Sequence, residues 1–247
     1  MKNIKDLLDK LPEADVQELN KCEKCGRKIF KIDGKEVGCE CDLIKEMQSD
    51  IQKQKAKAFA EQSIITDYYK TKKLRDYERN SEDQQKAFQL AKDYIINFDD
   101  YLKKGTSLIF QGSLGTGKTH IAASIRNALV ERNYKVYFIT LPEYLDEIKA
   151  AFNEPNKRYI TDRMVRESDL LIVDDVGANR MTEFAIEELF KLVDARVGKC
   201  TIYTTNLTAE EFNKTRDLKR VFSRMMNESK IVPLNGQDYR VERSHDY

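Results

Sequence analysis

The chain has 247 residues, of which 34% are charged and 40% hydrophobic, and its formal net charge is +1. This length accommodates one full α/β domain and a small additional module. The balanced charge excludes a nucleic-acid role that depends on overall positive charge, so any basic surface must be local. The apolar runs are too short for a transmembrane helix, and the N-terminus lacks the apolar region of a signal peptide. We therefore expect a cytoplasmic protein without a membrane partner.

The first third of the chain contains short elements. Residues 4–20 carry apolar positions, and the first group, at residues 4–11, predicts a short amphipathic helix that Pro12 ends or restarts. Residues 29–32 precede an Asp-Gly pair and predict half of a β-hairpin. Residues 42–62 contain neither Pro nor Gly and predict a connector helix.

Four of the five cysteines are clustered in this first third, as Cys22-x2-Cys25 and Cys39-x-Cys41. Two such pairs brought together by a hairpin form a tetrahedral zinc site, although the second pair is closer than usual. A site of four thiolates is structural, and it would stabilise a module of roughly 40–60 residues that is too small to fold on its core alone. A redox pair and unliganded thiols are the alternatives. Cys200 falls in an apolar run, so we expect it to be a buried, inert thiol.

Residues 51–80 are basic, with eight Lys and Arg against four Asp and Glu, and Tyr68, Tyr69 and Tyr77 lie among them. One interpretation is a solvated linker. The other is a segment that packs near a nucleotide base or a nucleic acid. Ser81, followed three residues later by a glutamine, then predicts the capping box of a helix.

After residue 105, apolar runs of strand length alternate with helical stretches. The runs are 106–110, 136–139, 170–173, 200–204 and 230–234. The helical stretches are 118–132, 142–152, 156–167, 182–197 and 208–227. Continuously apolar strands that alternate with helices predict an α/β fold with a parallel five-stranded sheet flanked by helices on both faces.

A phosphate-binding loop follows the first of these strands. The loop reads Gly112-Ser113-Leu114-Gly115-Thr116-Gly117-Lys118-Thr119, and His120 completes the predicted nucleotide-binding segment. Glycines allow successive backbone N–H groups to face the phosphates, and the helix that begins there adds its positive end. We expect Lys118 to contact the β- and γ-phosphates of ATP, and the hydroxyl of Thr119 to bind Mg²⁺.

Polar residues end the third and fourth predicted strands. Asp174 and Asp175 follow an apolar run, and in a parallel sheet ligands collect at such carboxyl ends. Asp174 is therefore predicted to bind Mg²⁺, and Asp175 to orient the attacking water, with a helix N-cap as the alternative for Asp175. Asn206 follows the next strand and holds either this water or the γ-phosphate, or is an ordinary turn residue.

A basic segment lies late in the chain. Residues 213–230 carry six Lys and Arg against two Asp and Glu, and they include Arg224. A guanidinium here that reaches the γ-phosphate of a neighbouring subunit would act as an arginine finger. Without an oligomer, the segment is a solvated basic face.

The motifs together resemble the AAA+ family, and within it the replicative helicase loaders of the DnaC/DnaI type. The resemblance runs from about residue 64 to the C-terminus. It rests on GSLGTGKTH, DLLIVDDVG, TTNLTAEEF, KRVFSRM and a terminal QDYR. IstB-type transposase helper ATPases share this core.

The resemblance implies roles for individual residues. Lys118 and Thr119 match Walker A, while Asp174 and Asp175 match Walker B. The other matches are Asn206 with sensor 1, Arg224 with the arginine finger, Arg240 with sensor 2, and Phe152, Thr182 and Phe184 with the region that grips single-stranded DNA. Core packing is the alternative for the two phenylalanines. The second Walker B acid is Asp rather than Glu, which implies slow hydrolysis, stimulated by DNA.

The resemblance also implies the domain organisation and the partners. Residues 1–62 are expected to form the zinc-containing module that binds a hexameric DnaB-type replicative helicase, and residues 63–247 the ATPase domain. The ATP-bound protein would assemble as a spiral homo-oligomer and help to place the helicase on single-stranded DNA in replication initiation. The alternatives are an IstB-type transposase helper and a nucleotide-binding adaptor without significant turnover.

Overall fold

The structure, a computed structural model, describes residues 16–32, 34–178, 180–236 and 238. The chain forms two compact units, Met1–Gln52 and Lys53–Tyr247. The domain boundary predicted from the sequence, between residues 62 and 63, lies ten residues after the boundary between these two units. Among the described residues, no helix has the length and apolar character needed to cross a membrane.

The first unit contains a three-stranded antiparallel sheet. Strand β1 (Val16–Lys21) pairs with β2 (Lys28–Ile32), which pairs with β3 (Lys35–Val37). The predicted hairpin is therefore confirmed. The helix predicted at residues 4–11 lies outside the described residues, and residues 16–20, where it could have restarted after Pro12, are not helical. These residues form a strand because β2 supplies partners for their backbone groups.

Helix α1 (Cys41–Gln62) follows the sheet and confirms the predicted connector helix. Two short elements come next, α2 (Asp67–Lys70) and a 3₁₀ turn at Leu74–Asp76. Helix α3 (Glu82–Ile96) begins with the predicted capping box of Ser81 and Gln84.

The second unit is built on a five-stranded parallel sheet in the order β5-β6-β7-β4-β8. The strands are β4 (Ser107–Gln111), β5 (Val136–Thr140), β6 (Leu170–Val176), β7 (Thr201–Thr205) and β8 (Ser229–Pro233). All five predicted strands are present, displaced by a few residues at most.

Helices cover both faces of this sheet. The remaining helices are α4 (Phe98–Lys104), α5 (Lys118–Glu131), α6 (Leu141–Ala150), α7 (Pro155–Glu167), α8 (Glu183–Ala195), α9 (Ala209–Phe212) and α10 (Arg216–Met225), with a 3₁₀ turn at Ala151–Asn153. The single helix predicted over residues 208–227 is wrong, since it is divided into α9 and α10. Thr208 and Thr215 each accept a hydrogen bond from a backbone N–H three residues later, so the chain begins a helix twice.

The core has one layer on each side of the sheet. Leu108 and Phe110 of β4 face the layer that contains α5, whereas Ile109 between them faces the layer that contains α8. Cys200 is fully buried, and its Sγ lies 3.3 Å from the carbonyl oxygen of Tyr101. With both faces covered, the polar ends of the strands are exposed only at the edges of the sheet.

Candidate nucleotide site

Two positions in the loop between β4 and α5 require glycine, because the backbone there lies close to other atoms. Gly117 has φ 91°, and a Cβ added there would lie 2.7 Å from the ring of Tyr77. Gly112 has φ 151°, and a Cβ there would lie 2.1 Å from the carbonyl oxygen of Leu234. Any other residue would have both an unfavourable backbone conformation and a clash. The loop is thus a cradle of the shape that phosphate binding requires.

Lys118 places its ammonium group inside this loop. The residue is only 6% exposed, and its Nζ donates to the carbonyl oxygens of Gly112 at 3.0 Å and Ser113 at 2.5 Å. Helix α5 begins at Lys118 and has no side-chain cap at its N-terminus. Its first backbone N–H groups and the ammonium together favour an anion.

Asp174 lies at the carboxyl end of β6 and is almost completely buried. Its Oδ1 accepts hydrogen bonds from the hydroxyls of Thr119 at 3.1 Å and Thr204 at 2.5 Å. Burial raises the pKa of Asp174 to about 6; the bond from Thr204 opposes this, and the charge of Asp175 adds to it. A buried carboxylate beside a threonine hydroxyl offers the hard oxygen ligands that Mg²⁺ prefers.

Asp175 has a left-handed backbone, with φ 57°. The register of β6 against β7 shifts at this point, and the N–H of Asp175 donates to the Thr204 hydroxyl at 2.9 Å. Asp175 is not the N-cap of the following helix, because Thr182 caps α8. Its side chain instead lines the same cavity as the phosphate loop.

Asn206 follows β7 and lines this cavity as well. Its Oδ1 is buried and has no hydrogen-bond partner among the described residues. The preceding Thr205 fixes the turn, since its hydroxyl donates to the carbonyl oxygen of Val176 and accepts from the N–H of Leu207. A buried acceptor without a partner is unfavourable, and this favours a ligand-binding role over an ordinary turn residue.

The cavity, which we call the central pocket, has a volume of about 690 Å³. One wall is the loop from Leu114 to His120, and a second is formed by Asp175 and Asn206. The third wall contains aromatic, charged and amide side chains, namely Tyr68, Tyr69, Lys72, Asp76, Tyr77, Glu78 and Gln84. The segment predicted either as a solvated linker or as a neighbour of the base therefore lines the pocket.

Contacts with α5 hold this segment in place. The side-chain amide of Asn127 donates to the carbonyl oxygens of Tyr69 at 2.9 Å and Lys72 at 2.8 Å. The hydroxyl of Tyr77 lies 3.3 Å from the carbonyl oxygen of Thr116, and its ring packs edge-on against His120 at 5.5 Å. The aromatic wall is thus fixed relative to the phosphate loop.

The predicted arginine finger, Arg224, does not line the central pocket. Arg224 lies on α10, about half exposed, and its Nη2 is 3.5 Å from Oδ1 of Asp194. Arg240, the predicted sensor 2 residue, lies outside the described residues.

The predicted DNA contacts lie on another surface. Phe152 is 69% exposed, so core packing is wrong for this residue. Its ring centroid is 6.0 Å from that of Phe184, which is half-buried against the core. The hydroxyl of Thr182 accepts the N–H of Ala185 as the cap of α8. The structure therefore places Phe152 beside Phe184, and Thr182 lies two residues before Phe184 at the start of α8.

The four N-terminal cysteines also converge. The sulfur atoms of Cys22, Cys25, Cys39 and Cys41 all lie within 4.8 Å of one another, and the sulfurs of Cys25 and Cys39 are 3.6 Å apart. A tetrahedral zinc site with Zn–S bonds of about 2.3 Å places its sulfurs about 3.8 Å apart. The cluster therefore fits zinc.

The sequence reasoning missed the contacts that Thr204 makes with Asp174 and Asp175, and the contact that Tyr77 makes with the phosphate loop. Thr204 joins Asp174 to the backbone of Asp175, and Tyr77 supports the phosphate loop. A usable signal exists only for Thr204, a polar residue that ends the strand next to the acidic one.

A phosphate loop at the edge of a parallel sheet, with acidic and amide side chains opposite it, defines a P-loop nucleotide-binding protein of the α/β class. The chain belongs to the IstB-like ATP-binding protein family, whose model matches residues 38–246. The predicted family resemblance is thereby confirmed.

Individual relatives agree with this assignment. The chain is 28% identical to the replicative helicase loader DnaC of Escherichia coli (strain K12), over 97% of each chain. It is 29% identical to the insertion sequence IS232 putative ATP-binding protein of Bacillus thuringiensis, over 62% of this chain and 64% of that one. A crystal structure of the DnaC helicase loader matches with a TM-score of 0.60 and 24% identity, over 68% of this chain and 99% of that one, and supports the predicted AAA+ fold.

Proposed function

We propose that this protein is an ATP-dependent loader of a hexameric replicative helicase. The observation that carries the proposal is the 97% coverage of both chains in the match to DnaC, which includes the N-terminal region. The match to the insertion-sequence protein covers only 62% of this chain. Similarity beyond the ATPase core favours a shared partner as well as a shared nucleotide.

The central pocket would bind the triphosphate of ATP. Backbone N–H groups of the phosphate loop would face the phosphates, and Lys118 would turn its ammonium from the loop carbonyls to the β- and γ-phosphates. Thr119 and Asp174 are the residues that would hold Mg²⁺, which when bound neutralises part of the phosphate charge. The aromatic wall of Tyr68 and Tyr69 would pack against the base.

Hydrolysis requires a positioned water. Asp175 and Asn206 line the central pocket together with the phosphate loop, and they would supply a carboxylate and an amide oxygen for this purpose. Asp175 is one methylene shorter than Glu, so we expect slow turnover that rises when DNA and the helicase bind.

Arg224 would act between subunits. Because it is about half exposed and does not line the central pocket, its guanidinium reaches a γ-phosphate only in a neighbouring copy of the chain. Its 3.5 Å contact with the half-exposed Asp194 is a surface ion pair, worth about 0–1 kcal/mol, so it would exchange readily for a phosphate. ATP would thereby promote the spiral assembly.

Single-stranded DNA would contact the surface of Phe152, Thr182 and Phe184. The exposed ring of Phe152 is available for stacking on a base, which is worth about 1–3 kcal/mol. The cysteine cluster, with zinc bound, would stabilise the N-terminal module that docks on the helicase. We assign residues 1–62 to this module and 63–247 to the ATPase domain.

Capture of a cognate helicase tests the proposal. The full chain should retain the replicative helicase in a pull-down with ATP, and a Cys39→Ser, Cys41→Ser variant should lose it. Cys200→Ser is the matched control, since Cys200 lies in the other unit, and it should retain the helicase. If the wild-type chain captures no helicase, the loader proposal is wrong.

The second candidate function is a transposase helper, favoured by the family model and by the insertion-sequence relative. Under this alternative the partner would be a transposase bound to duplex DNA. Retention of a transposase, and not of the helicase, in the same pull-down would select it.

A further inference from the structure

A second cavity of about 480 Å³ lies where α1, α2 and α5 meet. All of its lining residues belong to the unit Lys53–Tyr247, and none of them lines the central pocket. Its lining contains four cationic side chains and one carboxylate, that of Glu61. The four cations are Lys53, Lys57, Lys70 and Arg126. We call this cavity the basic cavity.

Arg126 forms the floor of the basic cavity and is 94% buried, with 6% of its surface exposed. Its Nη2 donates to the carbonyl oxygen of Ala60 at 3.0 Å, and its Nη1 donates to Oδ1 of Asn127 at 2.9 Å. Its Nε is buried and has no acceptor among the described residues. Burial lowers the pKa of Arg126, but a guanidinium remains charged at neutral pH. Arg126 therefore contributes a fixed positive charge to the lining of the cavity.

Three lysines also line the cavity, and the carboxylates that pair with Lys57 and Lys70 neutralise them only weakly. Lys53 and Lys57 are one helical turn apart, on the same face of α1. The Nζ of Lys57 is 3.7 Å from Glu61, and both side chains are largely exposed. Lys70 pairs at 2.9 Å with Asp67, whose side chain is 94% exposed. Exposed pairs of this kind are worth about 0–1 kcal/mol, so the cavity retains its positive potential.

We propose that the basic cavity binds the phosphodiester backbone of a nucleic-acid strand. The cationic residues come from three helices, so a chain of phosphates can contact several of them at once. Its apolar lining residues are Ala56, Ala60 and Val130, and no aromatic residue lines it, so it offers no surface on which a base can stack. Contacts of this kind hold a backbone without reading its sequence.

This site differs from the predicted stacking surface around Phe152, and it is adjacent to the nucleotide. Lys70 of α2 lines the basic cavity, while its neighbours Tyr68 and Tyr69 line the central pocket. Arg126 lies on α5, the helix that begins at the phosphate-loop residue Lys118. A strand in the basic cavity would therefore contact two elements that also form the central pocket.

The salt dependence of DNA binding tests the proposal on the full chain. The affinity for a fluorescent oligothymidylate is measured by anisotropy over a range of salt concentrations. Each lost phosphate contact to a single strand lowers the slope of log K against log salt by about 0.7. A Lys53→Gln, Lys57→Gln variant should therefore reduce the slope by about 1.4.

The matched control is Lys92→Gln with Lys103→Gln, which removes the same charge from exposed positions on α3 and α4. Lys103 pairs with Asp100 at 3.6 Å, much as Lys57 pairs with Glu61. The control should leave the slope unchanged. An unchanged slope in the cavity variant, or an equal reduction in both variants, would overturn the proposal, as would a wild-type chain that binds no oligothymidylate.

Two further measurements distinguish other ligands. Inorganic phosphate that displaces the lysine-dependent binding at constant ionic strength would assign the cavity to free phosphate. A polyglutamate peptide whose binding requires Lys53 and Lys57, when the oligonucleotide does not, would assign it to an acidic protein. Either result would contradict the proposal. Phe152→Ala should weaken DNA binding without changing the salt slope, which separates the stacking surface from this site.

Discussion

Replacement of Asp174 by Asn should stabilise the metal-free protein at neutral pH while it abolishes Mg²⁺-dependent ATP turnover. Burial raises the pKa of Asp174 from the usual 3.8 to about 6. A carboxyl whose pKa is higher in the folded state destabilises the fold when it is ionised. A difference of about two pH units corresponds to about 3 kcal/mol at pH 7. Because Asn retains an oxygen for the hydroxyls of Thr119 and Thr204 but loses the charge, we expect a net gain of about 1–3 kcal/mol.

The assay is urea unfolding with a metal chelator present, at pH 8 and at pH 5. The destabilisation by Asp174 is complete above pH 6 and disappears as the pH falls toward 3.8, because the folded state then binds the proton. The advantage of Asp174→Asn should therefore be large at pH 8 and smaller at pH 5. Asp175→Asn is the control, and its gain should be smaller because Asp175 is only partly buried.

A variant Asp174→Asn that is no more stable than the wild type at pH 8 would refute this reasoning. It would mean that the hydroxyl contacts compensate fully for the desolvation of the carboxylate. A gain that is the same at both pH values would also contradict it, since the effect would then not come from ionisation.

Three more predictions concern neighbouring contacts. Thr204→Val removes the hydroxyl between Asp174 and Asp175 and should lower both the free energy of unfolding, by about 2–4 kcal/mol, and the affinity for Mg²⁺-ATP. Thr201→Val, a buried control at the opposite end of the same strand, should lower only the stability, as checked by urea unfolding and nucleotide titration. Gly117→Ala should weaken binding of a fluorescent ATP analogue at least tenfold, because the added methyl group meets the ring of Tyr77; wild-type affinity would contradict this. The purified chain should contain one zinc ion, measured by elemental analysis, and Cys39→Ser should remove it; zinc retained in full by this variant would exclude Cys39 as a ligand.

The strands of the core were predictable because they are buried on both faces. Runs such as 170–173 are apolar at every position, as expected for strands of a parallel sheet that helices cover on both faces. No local sequence pattern predicts the strand order β5-β6-β7-β4-β8 of the sheet. It depends on which strands pair at long range.

Local sequence patterns did not predict the secondary structure correctly in two segments. Residues 208–227 have few helix breakers, but Thr208 and Thr215 both cap helices, and the segment divides between them. Residues 16–20 have no strong strand signal, and they become a strand through pairing with residues 28–32.

The part of the candidate site that a single contiguous motif forms was predictable from the sequence. The residues from Gly112 to Thr119 are contiguous, and the backbone conformation follows from the glycines. Thr204 and Tyr77 come from distant segments, so their contacts with the site needed the sheet order and the packing of α5. The exposure of Phe152 was not predictable either, because an aromatic residue between two helical stretches is more often buried.

Loading of the replicative helicase onto a covalently closed circle of single-stranded DNA tests the central claim most directly. A hexameric ring can enter such a circle only if it is opened, so unwinding of an oligonucleotide annealed to the circle reports loading. The account predicts unwinding that requires both this chain and ATP, and a strong reduction with Lys118→Ala. Equal unwinding with and without the chain would contradict the account.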